Sequence, residues 1–139
     1  MQISDWFIAL RVRNDLLYYS GLICFGLALA CGVGILIDSR QVMGVNVWLK
    51  PMKFAISIGV YCLTLAWMLA YLPLRDQKLM SIGTMICMAV ELGLILFQAA
   101  RGVQSHFNIS SPANRAIFAT MGTFIAFNSL LILYTLILG

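Results

Sequence analysis

Four long apolar stretches, separated by short polar connections, dominate the pattern of hydrophobic and polar positions along this chain of 139 residues. At about 1.5 Å per residue, each stretch is long enough to cross roughly 30 Å of hydrocarbon as a helix. A helix is required because lipid offers no hydrogen-bond partner to an exposed backbone group. The pattern therefore predicts four membrane-spanning helices, at about 16–37, 52–73, 79–101 and 113–138.

The connections between the spans predict how the helices are arranged. Pro51 and Pro112 stand where the first turn of a helix tolerates a missing N–H, and Ser111 is a candidate N-cap. Gly102 is placed to end the third span in a left-handed conformation. Short connections join antiparallel neighbours, so we expect residues 1–139 to form a single transmembrane domain, an all-α, up-and-down, antiparallel bundle of four helices.

Residues 1–15 precede the first span and carry their charges after a short apolar patch, an order unlike that of a cleavable signal peptide. Ser4 is a candidate N-cap, and Trp6 is a residue type that favours the headgroup region of a bilayer. We predict an interfacial turn or helix here, with Asn14 or Asp15 capping the first span.

Small and polar side chains recur along the spans at helical spacings of three, four or seven residues. In the first span Gly26, Ala30 and Gly34 predict a face of close helix packing. The second and third spans each carry a polar stripe. Both stripes should face the bundle interior, because lipid would leave their hydrogen-bonding groups unpaired. The stripe of the second span comprises Lys53, Ser57, Tyr61, Thr64 and Met68, and that of the third span comprises Thr84, Cys87 or Met88, Glu91, Gln98 and Arg101.

Composition and charge narrow the class of protein. Hydrophobic residues make up 62% of the chain and charged residues 10%, which leaves too little polar surface for a soluble domain of this length. We therefore expect an integral membrane protein, of a bacterial inner membrane, with the lipid bilayer as its partner. The net charge of +4 is compatible with anionic lipid, and we expect no nucleic-acid partner. The nine Lys and Arg residues divide four against five between the two sides, so the membrane orientation stays open.

Cysteine and histidine usage gives little support to redox or metal chemistry. The four cysteines fall inside the predicted spans and form no C-x-x-C pair, which is typical of buried apolar side chains. His106 is the only histidine and has no second strong ligand at a set spacing, so no metal site is expected. A haem shared across a homodimer, or bound by His106 and a methionine, stays open, and no cofactor is indicated.

Glu91 is an acidic residue in the middle of a predicted span. It lies about ten residues, or some 15 Å, from Arg101, and Tyr61, Thr64 and Asn128 lie at a similar depth. We expect these four central residues to form a midplane polar cluster, with Glu91 protonated or heavily hydrogen-bonded. Glu91 is then either a polar clasp that fixes the register of the bundle or an acid that takes part in function.

The loops 38–50 and 102–112 lie on one side of the predicted bundle, which we call the motif face. The second and fourth spans begin there and present free N–H groups and the positive ends of their helix dipoles. Lys and Arg side chains are unfavourable at such helix ends without a negative partner, so their presence there predicts a bound anion. The alternative is that these side chains only extend into the headgroup region of the bilayer, as Lys and Arg near a membrane surface often do. The expected ligand-binding residues are Lys50, Lys53, Gln98, Arg101, Ser105, His106, Asn108 and Arg115.

Two segments of the chain, NVWLKPMKFAIS and QAARGVQSHFN, resemble segments of a known family. They are similar to those of small bacterial four-span membrane proteins with the patterns W-x-K-P-x-K-F and Q-x-x-R-G-x-x-S-H-F-N. Here the patterns run from Trp48 to Phe54 and from Gln98 to Asn108. That family has no assigned activity, so the resemblance implies that these residues act as a unit without naming their function.

Three classes of function are compatible with these residues. The first is a small binding or transport protein that takes an anionic or zwitterionic ligand at the motif face, either a lipid headgroup or a small organic anion. The second is a membrane-embedded enzyme that uses His106, although its loop offers no neighbouring carboxylate except Asp38 and no nucleophile motif. The third is an accessory subunit of a larger membrane complex. Whether the protein is a homo-oligomer stays open.

Overall fold

The computed structural model describes residues 2–104 and 110–138. Within them, four of the helices, α2 to α5, are long and apolar enough to cross a membrane, as predicted, and their packing fits a helical bundle. In chain order the elements are α1 (Ile3–Arg13), α2 (Asp15–Ile37), β1 (Gln41–Val42), β2 (Val45–Asn46), α3 (Leu49–Leu69), α4 (Leu74–Ala100) and α5 (Pro112–Leu138).

The core lies between α2, α3 and α4. Gly21 of α2 lies against Leu63 of α3, and Gly34 lies against Trp48, so residue numbers run in opposite directions along this helix pair. The main contacts of α5 are with α4. The buried side chains of α5 recur at intervals of seven residues, so this helix uses one narrow line of contact; they are Asn114, Met121 and Asn128.

The end of α4 and the start of α5 follow the predicted capping rules. Gly102 has a φ of 70°, and its N–H donates to the carbonyl of Ala99 at 2.9 Å. The N–H of Val103 donates to the carbonyl of Gln98 at 3.0 Å, which completes a Schellman motif. The hydroxyl of Ser111 accepts a backbone N–H from the first turn of α5 at 3.2 Å, so the predicted cap is confirmed.

Helices α3 and α4, which form the second and third predicted spans, start earlier than the apolar pattern predicts. Helix α3 begins at Leu49, before position 52, and α4 begins at Leu74, before position 79. Pro51 is therefore the third residue of α3, still within the first turn, where a helix has no partner for a backbone N–H. The polar residues that suggested loops therefore belong to the first turns of these two helices.

The N-terminal segment forms α1, which docks on the bundle. Its N-cap is Gln2, so the prediction that Ser4 would cap this helix is wrong. Leu10 is fully buried in the core. The guanidinium carbon of Arg13 lies 3.9 Å from the ring centre of Trp67, a cation–π contact that fastens α1 to the end of α3.

Asn14 connects α1, α2 and α4. Its Oδ1 accepts the N–H of Leu17 at 3.1 Å, which confirms the predicted cap of α2. Its Nδ2 donates to the hydroxyl of Ser81 on α4. Asn14 thus ends α1 through its backbone N–H, which donates to the carbonyl of Leu10 at 3.0 Å, and its side chain begins α2 and joins this junction to α4.

The connection from α2 to α3 contains a β-hairpin that the sequence pattern did not predict. Met43 and Gly44 both have positive φ, 54° and 79°, as a two-residue type I′ turn requires. The strands pair Gln41 with Asn46, and Nδ2 of Asn46 donates to the carbonyl of Asp38 at 2.6 Å. The hairpin is therefore held against the C-terminal end of α2.

The polar stripe of α4 faces the interior, as predicted. Thr84, Glu91 and Gln98 are buried, and Ser81 extends the same face. Only the last member of the predicted stripe, Arg101, is exposed. A buried polar face on a central helix obliges the neighbouring helices to supply partners.

The polar stripe of α3 faces outward, so the prediction of an inward stripe is wrong for most of its members. The hydroxyls of Ser57 and Thr64 donate to the carbonyls of Lys53 and Val60, four residues earlier in the same helix, at 2.9 and 2.8 Å. These bonds satisfy the hydroxyls without a second helix. The exposed members are Lys53, Ser57, Thr64 and Met68, whereas Tyr61 is half-buried.

The predicted small-residue face of α2 is also displaced. Gly26 and Ala30 are exposed, and a Cβ at Gly26 would meet no atom within 4 Å. Only Gly34 of that set makes a close contact, since a Cβ there would lie 2.8 Å from the Trp48 ring. The buried face of α2 consists of Leu17, Gly21, Cys24, Ala28 and Cys31.

We expect Gly34→Ala to destabilise the protein and Gly26→Ala to leave it unchanged or slightly more stable. Both changes improve helix propensity, but only the first forces a methyl group into the Trp48 ring, at a cost of about 1–3 kcal/mol. Thermal unfolding of both variants in detergent, followed by circular dichroism, measures the difference. Equal midpoints would show that Trp48 is not tightly held against α2.

Candidate functional site

A cleft of about 280 Å³ opens on the motif face between the hairpin, the start of α3 and the end of α4. Its polar lining consists of Lys50, Lys53, Asn46 and Gln104, and the remaining lining is apolar. The volume lies at the small end of the range for ligand sites in proteins. The cleft therefore has room for a group the size of a lipid headgroup or a small organic anion.

The start of α3 places both lysines at the cleft. Lys50 is the second residue of the helix and Lys53 the fifth, so they stand within the first turns, where the N-terminal N–H groups and the helix dipole add positive potential. Lys53 is exposed, and Lys50 is half-buried with its Nζ 5.8 Å from the ring centre of Phe54. The site is electropositive in an apolar surrounding.

Glu91 lies inside the bundle, beneath the cleft. Its side chain is 1% exposed, and the next turn of α4 brings Ile95 into the cleft wall. Glu91 thus stands one helical turn from a residue of the cleft lining.

The predicted midplane cluster separates into parts. Nδ2 of Asn128 donates to the hydroxyl of Tyr61 at 3.3 Å. Thr64 is exposed and bonded to its own helix, so it does not join them. Glu91 lies one helical turn from Ile95 of the cleft wall, on the side of the motif face.

Gln98 and Arg101 belong to a hydrogen-bond network that joins α4 to α5. Gln98 is fully buried, and its Nε2 donates to Oδ1 of Asn114 at 3.1 Å. One guanidinium nitrogen of Arg101 donates to Oε1 of Gln98 at 2.6 Å and to Oδ1 of Asn114 at 3.0 Å. Asn114 in turn donates to the hydroxyl of Ser110 at 3.0 Å. Arg101, one of the expected ligand-binding residues, thus has a structural role at this junction.

Arg40 fastens the hairpin to the end of α4. It bonds to the carboxylate of Asp38, with a shortest distance of 2.8 Å, and a third nitrogen of its guanidinium donates to the carbonyl of Ala100 at 2.8 Å. The Nε1 of Trp48 also donates to Asp38, at 2.9 Å. These hydrogen bonds, from Arg40 first and then Trp48, hold the pKa of Asp38 well below its usual range. Both partners stay charged at neutral pH and neutralise each other.

The remaining predicted ligands do not extend the described site. Arg115 is exposed on the first turn of α5. Ser105, His106 and Asn108 lie outside the described residues. Within the described ranges, no group of three potential metal ligands comes together.

Sequence reasoning missed several residues that shape the motif face. Asn114 stands two positions after Pro112, and this capping context could have indicated its proximity to Gln98. Asn46 and Gln104 line the cleft because the hairpin and the end of α4 lie close together. No local sequence pattern predicts that proximity.

Comparisons with protein-family models, with curated proteins and with solved structures found no match to this chain. The resemblance to small bacterial four-span proteins stays a prediction, and the case for a function rests on the geometry of the motif face.

We expect Gln98→Ala and Asn114→Ala each to destabilise the protein by about 1–3 kcal/mol, since each leaves a buried amide without its partner. The double variant should lose less than the sum, with a coupling of about 0.5–3 kcal/mol. Thr120→Ala is the matched control, because this exposed hydroxyl bonds to its own helix. Reversible unfolding in mixed micelles provides the free energies, and strict additivity would contradict the network.

We expect acid to destabilise the protein through Asp38. Its folded pKa is depressed, so its stabilising contribution is present above the ordinary aspartate value of about 4 and is lost as the pH falls through the folded pKa. The thermal midpoint of the wild type should therefore fall with pH below about 4, and Asp38→Asn should show a weaker dependence. Asp5→Asn, an exposed carboxylate of α1, should behave like the wild type. Identical pH profiles for all three proteins would contradict a role for the Asp38 cluster.

Proposed function

We propose that this chain is an integral membrane protein whose four long helices cross the membrane as an antiparallel bundle, and that it binds or transports an anionic ligand through the cleft. We place it in a bacterial inner membrane. The observation that carries the proposal is the presence of Lys50 and Lys53, at the N-terminus of α3, in the lining of a small and otherwise largely apolar cleft.

The charge balance around the cleft supports an anion. Asp38 is neutralised by Arg40, and the other acidic residue near the cleft is the buried Glu91. Across residues 2–104 and 110–138, no ion pair involves Lys53. Two ammonium groups and a helix N-terminus therefore meet at most one carboxylate, and a phosphate or carboxylate group would restore the balance.

The apolar lining supports a ligand that is partly hydrophobic. Phe54, Ile95 and Ala99 border the cleft beside the lysines, and such walls gain free energy by covering apolar surface of a ligand. A lipid headgroup with the first part of its chains, or an organic anion with an apolar body, satisfies both halves of the site. Within the described residues, no observation favours the enzyme or the accessory-subunit alternative.

The proposal predicts selective stabilisation by an anionic lipid. Purified protein in detergent is heated with dihexanoyl phosphatidylglycerol, with dihexanoyl phosphatidylcholine, or with inorganic phosphate. We expect phosphatidylglycerol to raise the unfolding midpoint and phosphatidylcholine to have little effect, because a ligand that binds the folded state stabilises it by an amount that grows with the logarithm of its concentration divided by its dissociation constant. Stabilisation by phosphate alone would identify a free anion rather than a lipid as the ligand.

Substitution of single lysines tests whether the stabilising anion binds in the cleft. Lys53→Gln should weaken binding of the stabilising anion roughly tenfold, the loss expected for one charge-assisted contact. Lys78→Gln removes an exposed lysine of α4 near its opposite end and is the matched control. If the two variants respond alike, or if no anion stabilises the wild type, the cleft is not an anion site.

A further inference from the structure

We propose that the middle of the bundle holds a binding site for a water molecule, which bridges Tyr61 of α3, Thr84 of α4 and Asn128 of α5. None of these three residues lines the cleft, so the inference does not depend on the proposed function.

Two buried polar groups mark the site. Thr84 is fully buried, and Asn128 is 7% exposed. Among residues 2–104 and 110–138, neither the hydroxyl of Thr84 nor Oδ1 of Asn128 has a hydrogen-bond partner. A polar group that is buried without a partner is unfavourable in an apolar interior, and buried waters commonly satisfy such groups.

Thr84 is an exception among the hydroxyl side chains of the long helices. Every other Ser or Thr hydroxyl of α2, α3, α4 and α5 donates to the carbonyl four residues earlier in its own helix. That bond satisfies a hydroxyl without any neighbour. The hydroxyl of Thr84 does not make it, so its partner has to come from outside its own helix.

The packing of α4 on α5 brings Thr84 and Asn128 to one level of the bundle. Gly83 of α4 lies against Leu131 of α5, since a Cβ on Gly83 would be 2.7 Å from Cδ1 of Leu131. Thr84 follows Gly83 in the chain, and Asn128 stands one turn before Leu131. The two buried side chains therefore lie within about one helical turn of each other.

The bonded pair of Gln98 and Asn114 shows why a water fits between Thr84 and Asn128. Gln98 and Thr84 belong to the same buried face of α4, and Asn114 and Asn128 belong to the same buried line of α5. Nε2 of Gln98 reaches Oδ1 of Asn114 directly, at 3.1 Å. A threonine hydroxyl stands closer to its backbone than a glutamine amide does, so at Thr84 the remaining distance is left for a bridging molecule.

Tyr61 supplies the third partner. Nδ2 of Asn128 donates to the hydroxyl of Tyr61 at 3.3 Å, so the Tyr61 oxygen is the acceptor and its own O–H can donate elsewhere. A water here accepts from the hydroxyls of Tyr61 and Thr84 and donates to Oδ1 of Asn128. Three hydrogen bonds are about the number that a buried water makes. The water thus joins α3, α4 and α5.

Radiolytic footprinting of the purified full-length protein in detergent tests the site. A brief X-ray pulse converts water into hydroxyl radicals, which oxidise the side chains beside a bound water, and mass spectrometry locates the products. We expect oxidation of Tyr61, with heavy oxygen incorporated when the solvent is isotopically labelled water. Phe127, an exposed ring next to Asn128 that detergent covers, should stay unmodified.

Two variants each remove one partner of the water. Thr84→Val removes the hydroxyl, and Asn128→Leu removes Oδ1. Both should reduce the oxidation of Tyr61 to the level of Phe127. Thr64→Val is the matched control, because the exposed hydroxyl of Thr64 bonds to its own helix, and this variant should keep the oxidation of the wild type.

The outcomes decide the proposal in either direction. An unmodified Tyr61 in the wild type overturns it. Oxidation that persists at the wild-type level in both Thr84→Val and Asn128→Leu also overturns it, because the radicals then come from water elsewhere. If a variant does not fold, the heavy oxygen on Tyr61 relative to Phe127 in the wild type decides the matter.

Discussion

The burial of the polar face of α4 inside an apolar bundle constrains the neighbouring elements. A buried polar group without a partner is costly, and in lipid no water is at hand to replace one. Two layers of this face are met by hydrogen-bonding residues from other parts of the chain, so that these bonds also position the α1–α2 junction and the start of α5. The pairs are Ser81 with Asn14 and Gln98 with Asn114.

The same constraint divides the cations of the motif face into two groups. Arg40 and Arg101 bond to groups at the end of α4 or its neighbours, where the planar guanidinium can make several hydrogen bonds at once. Lys50 and Lys53 carry compact charges on flexible stems and stand at the cleft. The arginines thus hold the hairpin and α5 in place, and the proposed function assigns the lysines to a ligand. The functional proposal depends on this division of roles.

Features that depend on neighbouring residues alone could be predicted from the sequence. The four spans follow from the length of apolar runs, and the caps at Asn14, Gly102 and Ser111 follow from short-range hydrogen bonds and backbone conformation. Lys50 and Lys53 were also expected at the site, because the first turn of α3 places them on the motif face whatever the rest of the bundle does. In each case the determining interaction lies within one helical turn or one loop.

The tertiary structure decided which faces meet. A helical wheel shows that Lys53, Ser57 and Thr64 share a face, but it does not show whether that face turns inward, and hydroxyls that bond to their own helix remove the penalty for turning outward. The tertiary structure likewise distinguishes the arginines of the motif face from its lysines, because Asp38 bonds to Arg40 and Asn114 bonds to Arg101. The sequence alone determined the four long helices, the caps at Asn14, Gly102 and Ser111, and the place of Lys50 and Lys53 at the start of α3. Rotation of the helices and pairing across the bundle came from contacts between residues far apart in the chain, which no local pattern encodes.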